Sequence, residues 1–412
     1  MKKTLFNVVF LVMCTTICCV AGIWTKSKPM DGGKKTEDMA SVEVSHENGG
    51  QVQRDGCRYI YNMGDEYFSG ELYKSPENYT LYEFEQEYDT EGNPIYTDVV
   101  IPDTIDGVPV VAIGYEVFKK HSELRTVTLG KHIVEIGKDA FYGCENLLEV
   151  TFSSDLVQIA ESAFKNCVGL SEIHIPESVE NIEEDAFKGC TALEKIAFNG
   201  TKLTMQKAVF ENTAWLNGCR EKKVPAVLKK ILVDASGLAG QVKLRKEEID
   251  YIVPGAFKDA NQITSLKIEG VKSLPSYLLQ DNTSIEKVVV TGVEKMSALC
   301  FADAFGVKEI TIDGKVTEIP RGCFAECENL KRLEILSQNK ITWGTKTDTD
   351  YRYVIFTSVF SGKQENLNIY LHSEEAQASL VLATIPKSAI LHVPAEAVEE
   401  YQKYVKCKVV AL

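Results

Sequence analysis

Large apolar side chains recur along the chain at a fixed interval of 23 residues. Leucine and cysteine columns follow the main aromatic column by six and three residues, and an aliphatic column precedes it by five. The aromatic column consists of Phe118, Phe141, Phe164, Phe187 and Phe210. The aliphatic column consists of Ile113, Ile136, Ile159, Ile182 and Met205. A fixed period of roughly 20 to 29 residues with such columns indicates a leucine-rich solenoid, in which each unit buries its apolar side chains against its neighbours.

Within one unit, the pattern predicts a short strand followed by a helical turn. Val150 and Phe152 alternate with polar residues, which is the period of a strand with one buried face. Acidic or polar residues such as Asp139 precede the Ala-Phe step, and acid at the start of a helical turn suits its dipole. Residues that tolerate a left-handed conformation end each turn, namely Gly143, Asn166, Gly189 and Asn212. We therefore predict an α/β solenoid, a leucine-rich repeat with one short strand and one or two helical turns per coil of about 23 residues.

The period breaks after Phe210 and returns at Phe257, where it continues in steps of 22 or 23 residues. The intervening segment has the length of about two units, so we interpret it as degenerate coils with a bulged connection. The predicted organisation is a signal peptide or membrane anchor (1–25), a flexible linker (26–53), an N-terminal cap (54–110), a first repeat array (111–212), degenerate coils (213–250), a second repeat array (251–336) and a C-terminal cap (337–412).

The first residues have the form of an export signal. Lys2 and Lys3 precede an almost unbroken apolar stretch from Leu5 to Ile23, and the export machinery recognises that combination. Cleavage, lipid attachment and retention as a membrane anchor all remain open. Each of them predicts that the rest of the chain is secreted or lies at the cell surface, with membrane contact only through this segment.

Composition narrows the class of partner. Hydrophobic residues make up 44% and charged residues 25%, which is ordinary for a folded soluble protein. The formal net charge is −14, and a nucleic-acid binder needs a basic face, so we expect no nucleic acid as partner.

Stacked coils lie about 4.8 Å apart, close enough for the cysteines of neighbouring coils to form disulfides. The same slot holds Ala and Asn in other coils, which favours buried thiols, although the pairing of the cysteines stays open.

Motifs of catalysis and metal binding do not occur in the sequence. It has no metalloprotease, nucleophile-elbow, P-loop or dinucleotide motif, and its six histidines lack metal-ligand spacing. We expect no enzymatic activity, no catalytic residue, no metal and no cofactor.

Several strings of the repeat resemble one known family. Ile136-Gly137-Lys138-Asp139-Ala140-Phe141, the stretch from Ile182 to Cys190, and the closing Val393-Pro394-Ala395 are similar to the BspA-type leucine-rich repeat family over roughly residues 95 to 405. The resemblance implies a bacterial surface or secreted protein of a family linked in several cases to adhesion to host matrix proteins or other cells. It implies no catalytic residues.

The outward positions of the strands are the predicted binding surface, because solenoids bind partners on the sheet that their strands build together. The candidate residues are Glu149, Thr151, Glu172, His174, Lys195, Lys267, Lys287, Glu309, Thr311, Arg332 and Glu334. We expect a binding or adhesion module for a protein partner, with a carbohydrate-binding protein accessory to glycan capture as the alternative. The tyrosines between residues 58 and 96 suit either a sugar-stacking patch or the closure of a cap. The ligand, the binding face and the oligomeric state stay open.

Overall fold

The computed structural model describes residues 50–54, 57–63, 78–86, 88–105, 107–345, 358–361, 364–376 and 378–412. All of them belong to one unit that comprises residues 44–412. The predicted signal peptide or anchor, and most of the predicted linker, lie outside the described residues. The last residues of the predicted linker belong to the first strand.

Short strands make up most of the regular structure. They are β1 (Gly50–Arg54), β2 (Cys57–Met63), β3 (Tyr79–Glu85), β4 (Asp98–Val100), β5 (Thr104–Ile105), β6 (Val108–Ile113), β7 (Thr126–Thr128), β8 (Glu135–Ile136), β9 (Glu149–Thr151), β10 (Gln158–Ile159), β11 (Glu172–Ile175), β12 (Asn181–Ile182), β13 (Lys195–Phe198), β14 (Thr204–Met205), β15 (Ala226–Leu228), β16 (Ile231–Asp234), β17 (Gly240–Arg245), β18 (Tyr251–Ile252), β19 (Ile263–Glu269), β20 (Ser273–Leu274), β21 (Lys287–Val293), β22 (Lys295–Met296), β23 (Glu309–Gly314), β24 (Glu318–Pro320), β25 (Phe324–Ala325), β26 (Arg332–Ile335), β27 (Thr342–Thr345), β28 (Phe360–Ser361), β29 (Asn368–Leu371), β30 (Ile390–Val393) and β31 (Lys408–Ala411). Within the described residues, the helices are α1 (Ala214–Glu221), α2 (Val398–Gln402) and two 3-10 segments, Ala378–Ala383 and Ala395–Ala397.

Parallel pairing between successive coils builds the solenoid. The long strands of the first array form the sheets β4-β7-β9 and β11-β13, and those of the second array belong to one eight-stranded sheet, β17-β19-β21-β23-β26-β29-β30-β31. The strands of the aliphatic column belong to a second sheet, β1-β2-β3-β6-β8-β10-β12-β14, in which Ile159 pairs with Ile136 on one side and with Ile182 on the other. The predicted solenoid of strand-bearing coils is therefore confirmed.

The phenylalanine column is a continuous stack at the centre of the first array. Phe141 lies 5.0 Å from Phe164, and Phe164 lies 5.2 Å from Phe187, with the ring planes within 4° of parallel. All three rings are fully buried. Phe301 and Phe324 repeat the arrangement in the second array at 5.7 Å. The predicted aromatic column thus places each ring directly on the ring of the next coil.

The turns that contain these rings are not helical, so the α/β part of the predicted fold class is not confirmed. Asp139 and Gly143, which flank Phe141, both have positive φ, at 56° and 73°. Their N–H groups, like that of Phe141, donate to carbonyls of the next coil, whereas the intervening residues bond three positions back. An α-helix needs an unbroken run of right-handed residues bonded four positions back. In these turns, every second N–H group instead donates to the next coil and so connects neighbouring coils.

The cysteine column forms part of this connection. The Sγ atoms of Cys144, Cys167 and Cys190 each donate to the phenylalanine carbonyl of the preceding coil, at 2.9 to 3.1 Å. Asn282 occupies the same slot and donates its Nδ2 to the carbonyl of Phe257 at 2.8 Å. Burial raises the pKa of Cys167 well above its ordinary value. The cysteines of the column are free thiols with a packing and hydrogen-bonding role.

A short helix marks the junction between the two arrays. Thr213 caps α1 by accepting a hydrogen bond from the N–H of Leu216. Arg220, in the last turn of α1, donates to Glu211 at 2.9 and 3.1 Å and to Asp234 at 2.7 Å. Its guanidinium also lies 3.5 Å from Asp259 in the first turn of the second array. One side chain therefore holds the end of the first array, the inserted strand β16 and the start of the second array.

We expect Arg220→Ala to lower the free energy of unfolding by about 2 kcal/mol, because it leaves the buried carboxylate of Asp234 without its charged partner. Urea denaturation followed by tryptophan fluorescence, to which Trp215 in α1 contributes, measures the effect. Arg245→Ala is the control, since Arg245 is exposed and lies 4.0 Å from Glu248. Equal losses in the two variants would contradict the proposed role of Arg220.

Candidate functional site

The outward residues of the first array lie on two short sheets. Glu149 and Thr151 are exposed on β9. On the neighbouring pair of strands, Glu172 accepts from Lys195 at 3.2 Å and lies 3.0 Å from the Nε2 atom of His174. These residues point outward as predicted, and Glu172 contacts both His174 and Lys195.

The second array presents a longer and more connected face. Lys243 and Lys267 both reach the carboxylate of Glu269, at 2.7 and 2.8 Å. Lys287 pairs with Glu309 on the next strand at 2.9 Å. The two lysine bonds lower the pKa of Glu269 to about 2. Thr311, predicted with them, lies half-buried on the same strand as Glu309.

The C-terminal part of this face carries a stacked cluster, which we define as Arg332, Glu334, Asn368, Tyr370, His372 and His392. The guanidinium carbon of Arg332 lies 3.8 Å from the ring centre of Tyr370. The ring of His392 lies 4.2 Å from that of Tyr370, with the planes 9° apart. Because β26 and β30 flank β29 on opposite sides, Arg332 and His392 cover the two faces of the tyrosine ring.

Hydrogen bonds fix the orientation of the stacked cluster. Glu334 accepts from the Nη2 atom of Arg332 at 3.0 Å and lies 3.2 Å from the Nε2 atom of His372. The Nε2 atom of His392 lies 3.0 Å from the side-chain oxygen of Asn368. Each side chain of the cluster therefore has a defined position before any partner binds.

The charges of the cluster follow from the same contacts. Burial raises the pKa of Glu334, but the hydrogen bonds and charges of Arg332 and His372 outweigh burial and leave that pKa below its ordinary value. Burial, and after it the positive charge of Arg332, lowers the pKa of His392 below 6.5. At neutral pH, Glu334 is ionised and His392 is uncharged, so the stack presents one neutral imidazole beside a paired guanidinium.

The structure brings two of the predicted residues, Arg332 and Glu334, together with four that sequence reasoning missed. The missed residues are Asn368, Tyr370, His372 and His392. The signal that could have found the first three is the alternation of polar and apolar residues from Asn368 to His372, which marks one more strand with an outward face.

The tyrosine-rich N-terminal region has mixed surroundings. Tyr79 is buried and Tyr96 packs against the same core, as expected of a cap. Tyr88 is 60% exposed. The side chains of Tyr59, Tyr61, Tyr67, Tyr73 and Tyr82 lie outside the described residues.

Two further properties concern only the part of the chain that the structure describes. None of its helices is both long and apolar enough to cross a membrane. It contains no group of three or more His, Cys, Asp or Glu side chains placed to hold a metal ion.

Fold and site together define a parallel β-solenoid of leucine-rich repeats that displays polar and aromatic side chains on a sheet. The repeat region of one family, described as BspA type leucine rich repeat, matches residues 111–231 and 240–345 in six copies. The chain belongs to the BspA-type leucine-rich repeat family.

Solved structures include several similar proteins. The pneumococcal vaccine antigen PcpA is 16% identical, with 89% of this chain and 99% of that chain covered and a TM-score of 0.39. A leucine-rich cell surface protein of Faecalibacterium prausnitzii is also 16% identical, with 89% and 96% covered and a TM-score of 0.34. A leucine-rich repeat protein of Bacteroides capillosus is 29% identical, with 37% and 100% covered and a TM-score of 0.29. The comparison with curated proteins finds no match.

Proposed function

We propose that the chain is an exported, secreted or cell-surface binding module that adheres to a protein partner through the outward face of its eight-stranded sheet. The observation that carries this proposal is the stacked cluster. Arginine and tyrosine are enriched among the residues that dominate protein interfaces. Their positions are fixed by stacking and hydrogen bonds, which reduces the ordering cost of association.

Export rests on the sequence and on the family. The basic residues Lys2 and Lys3 followed by the apolar stretch to Ile23 form an export signal. Membership of a family typical of bacterial surfaces agrees with it. A host matrix protein or the surface of another cell is therefore the class of partner that we propose.

A protein partner suits the stacked cluster better than a glycan. Sugars bind aromatic residues by lying on an open ring face, and both faces of Tyr370 are already covered, by Arg332 and His392. What the cluster offers outward is ring edges, a guanidinium and a carboxylate. Those groups complement the charged and hydrogen-bonding side chains of a protein surface.

We expect the wild-type chain to bind at least one immobilised matrix protein from a panel of fibronectin, fibrinogen, laminin and collagen. Arg332→Ala and Tyr370→Ala should each weaken that affinity by at least about tenfold, since each removes a pre-ordered side chain from the centre of the face. Surface plasmon resonance measures the affinity, and circular dichroism verifies the fold.

Two control variants locate the face. Lys138→Ala changes an exposed side chain on the turn side of the first array, and its affinity should equal that of the wild type. The double variant Glu149→Ala, Glu172→Ala removes two outward carboxylates of the first array, and it tests whether the sheets of that array take part in binding. Undiminished binding by the Arg332 and Tyr370 variants would refute the proposed face, and a glycan array with hits beside an unbound matrix panel would refute the protein partner.

A further inference from the structure

A cleft of about 480 Å³ lies in the C-terminal region, and none of its lining residues belongs to the stacked cluster. Its walls come from β28, from the 3-10 segment Ala378–Ala383 and the residues after it, and from the segment that follows α2. The volume is within the range of about 300 to 1,000 Å³ that is typical of small-molecule sites.

The body of the cleft is apolar. Phe360 and Leu380 are almost fully buried and form its floor. Ile385 and Tyr404 are partly buried and pack against the same core, so they line the cleft without filling it. An apolar ligand that entered would remove these side chains from water, which favours binding in proportion to the area covered.

One residue that lines this cleft has a buried polar atom without a partner. Gln364 lines the cleft and is only 3% exposed. Its Nε2 atom donates to the carbonyls of Phe324 at 3.1 Å and Ser361 at 2.8 Å. Since both partners are acceptors, the amide orientation is fixed. Its Oε1 atom is buried and accepts no hydrogen bond within the described structure. A buried acceptor of this kind is unfavourable until a donor reaches it.

The rim of the cleft is cationic. Lys387 and Lys406 line it, and no aspartate or glutamate is among its lining residues. Neither lysine has an ion-pair partner in the part of the chain that the structure describes. In a chain with a net charge of −14, two uncompensated lysines beside an apolar cleft are a local reversal of sign.

We propose that this cleft binds a small apolar organic anion that carries one N–H or O–H donor. The apolar body lies against Phe360, Leu380, Ile385 and Tyr404. The donor satisfies the Oε1 atom of Gln364, and the anionic group lies toward Lys387 and Lys406. The apolar body, the donor and the anionic group of the ligand thus each complement a different feature of the cleft.

Indole-3-propionate is the probe, because it combines an apolar ring, an N–H donor and a carboxylate. We expect saturable binding to the full chain with a dissociation constant on the order of 1 mM or tighter, measured by ligand-observed NMR. 3-(1-Naphthyl)propionate lacks the donor and indole-3-propionamide lacks the charge. Each should bind at least about fivefold more weakly.

Paired lysine variants locate the binding. Lys387→Gln with Lys406→Gln should weaken binding of indole-3-propionate by at least about fivefold and leave that of the propionamide unchanged. Lys403→Gln with Lys408→Gln removes two exposed lysines of the same region that do not line the cleft, and should change neither affinity. The proposal is overturned by absence of saturable binding, by equal affinities for the three probes, or by equal effects of the two lysine pairs.

Discussion

Phe164→Ala should lower the free energy of unfolding by about 4 kcal/mol. The ring is fully buried and lies between two other phenylalanine rings at 5.0 and 5.2 Å. Truncation removes both stacking contacts and the edge contact with Phe152, and it leaves a cavity in the middle of the stack. The turns on either side are held by backbone bonds between coils, so the neighbouring rings cannot move together to fill it.

Urea denaturation measures the loss, and hydrogen exchange shows where it occurs. The amides of Phe141 and Phe164, which donate across the affected coils, should exchange faster in the variant than in the wild type. Thr151→Ala, which truncates an exposed side chain on an adjacent strand, should change neither quantity. A loss below about 1 kcal/mol would show that the stack packs loosely and would contradict its central role.

Glu135→Gln should stabilise the protein at pH 8 and leave its stability almost unchanged at pH 4. Glu135 is 8% exposed, and burial, followed by the charge of Glu183, raises its pKa from 4.5 to about 7. The folded state therefore holds this proton more tightly than the unfolded state. Stability falls as the pH rises from about 4.5 to about 7, by roughly 3 kcal/mol, and the glutamine variant lacks that loss.

Unfolding in urea at several pH values between 4 and 8 gives the two stability profiles. Glu149→Gln removes the same charge from an exposed position and is the control for net charge. If both variants follow the wild-type profile, Glu135 does not carry the proton that the folded state retains. The short strand that bears Glu135 would then be stable with an ionised carboxylate.

The repeat could be predicted from the sequence because one period governs both the side chains and the coils. Val150 and Phe164 face the core, as the pattern of polar and apolar residues within their own units predicts. The predicted left-handed ends of the turns, such as Gly143 and Asn166, are confirmed, but the left-handed residue at the start of each turn could not be predicted in this way. Asp139 adopts a left-handed conformation because its N–H reaches the carbonyl of Glu161 in the next coil, and an acceptor in another unit leaves no mark on the local pattern.

The candidate site, too, could be predicted from the sequence only in part. Arg332 and Glu334 could be predicted because they continue the register of the second array. Tyr370 was missed because the chain between β26 and β29 is longer than one repeat, so counting in steps of 22 or 23 residues loses the register there. Phe360 continues the aromatic stack on Phe324 within that stretch, but outside the sequence period. Pairing of β29 with β26 restores the register in space after it has been lost along the sequence.

The alternating amides of the turns give successive coils of the first array the same donors toward one neighbour and the same acceptors toward the other. A duplicated unit of 23 residues would find its hydrogen bonds already complementary on both sides. Recombination within the gene can therefore lengthen or shorten the molecule in whole units. Each added unit extends its reach by one strand spacing, about 4.8 Å, and brings one new row of surface residues for selection to vary.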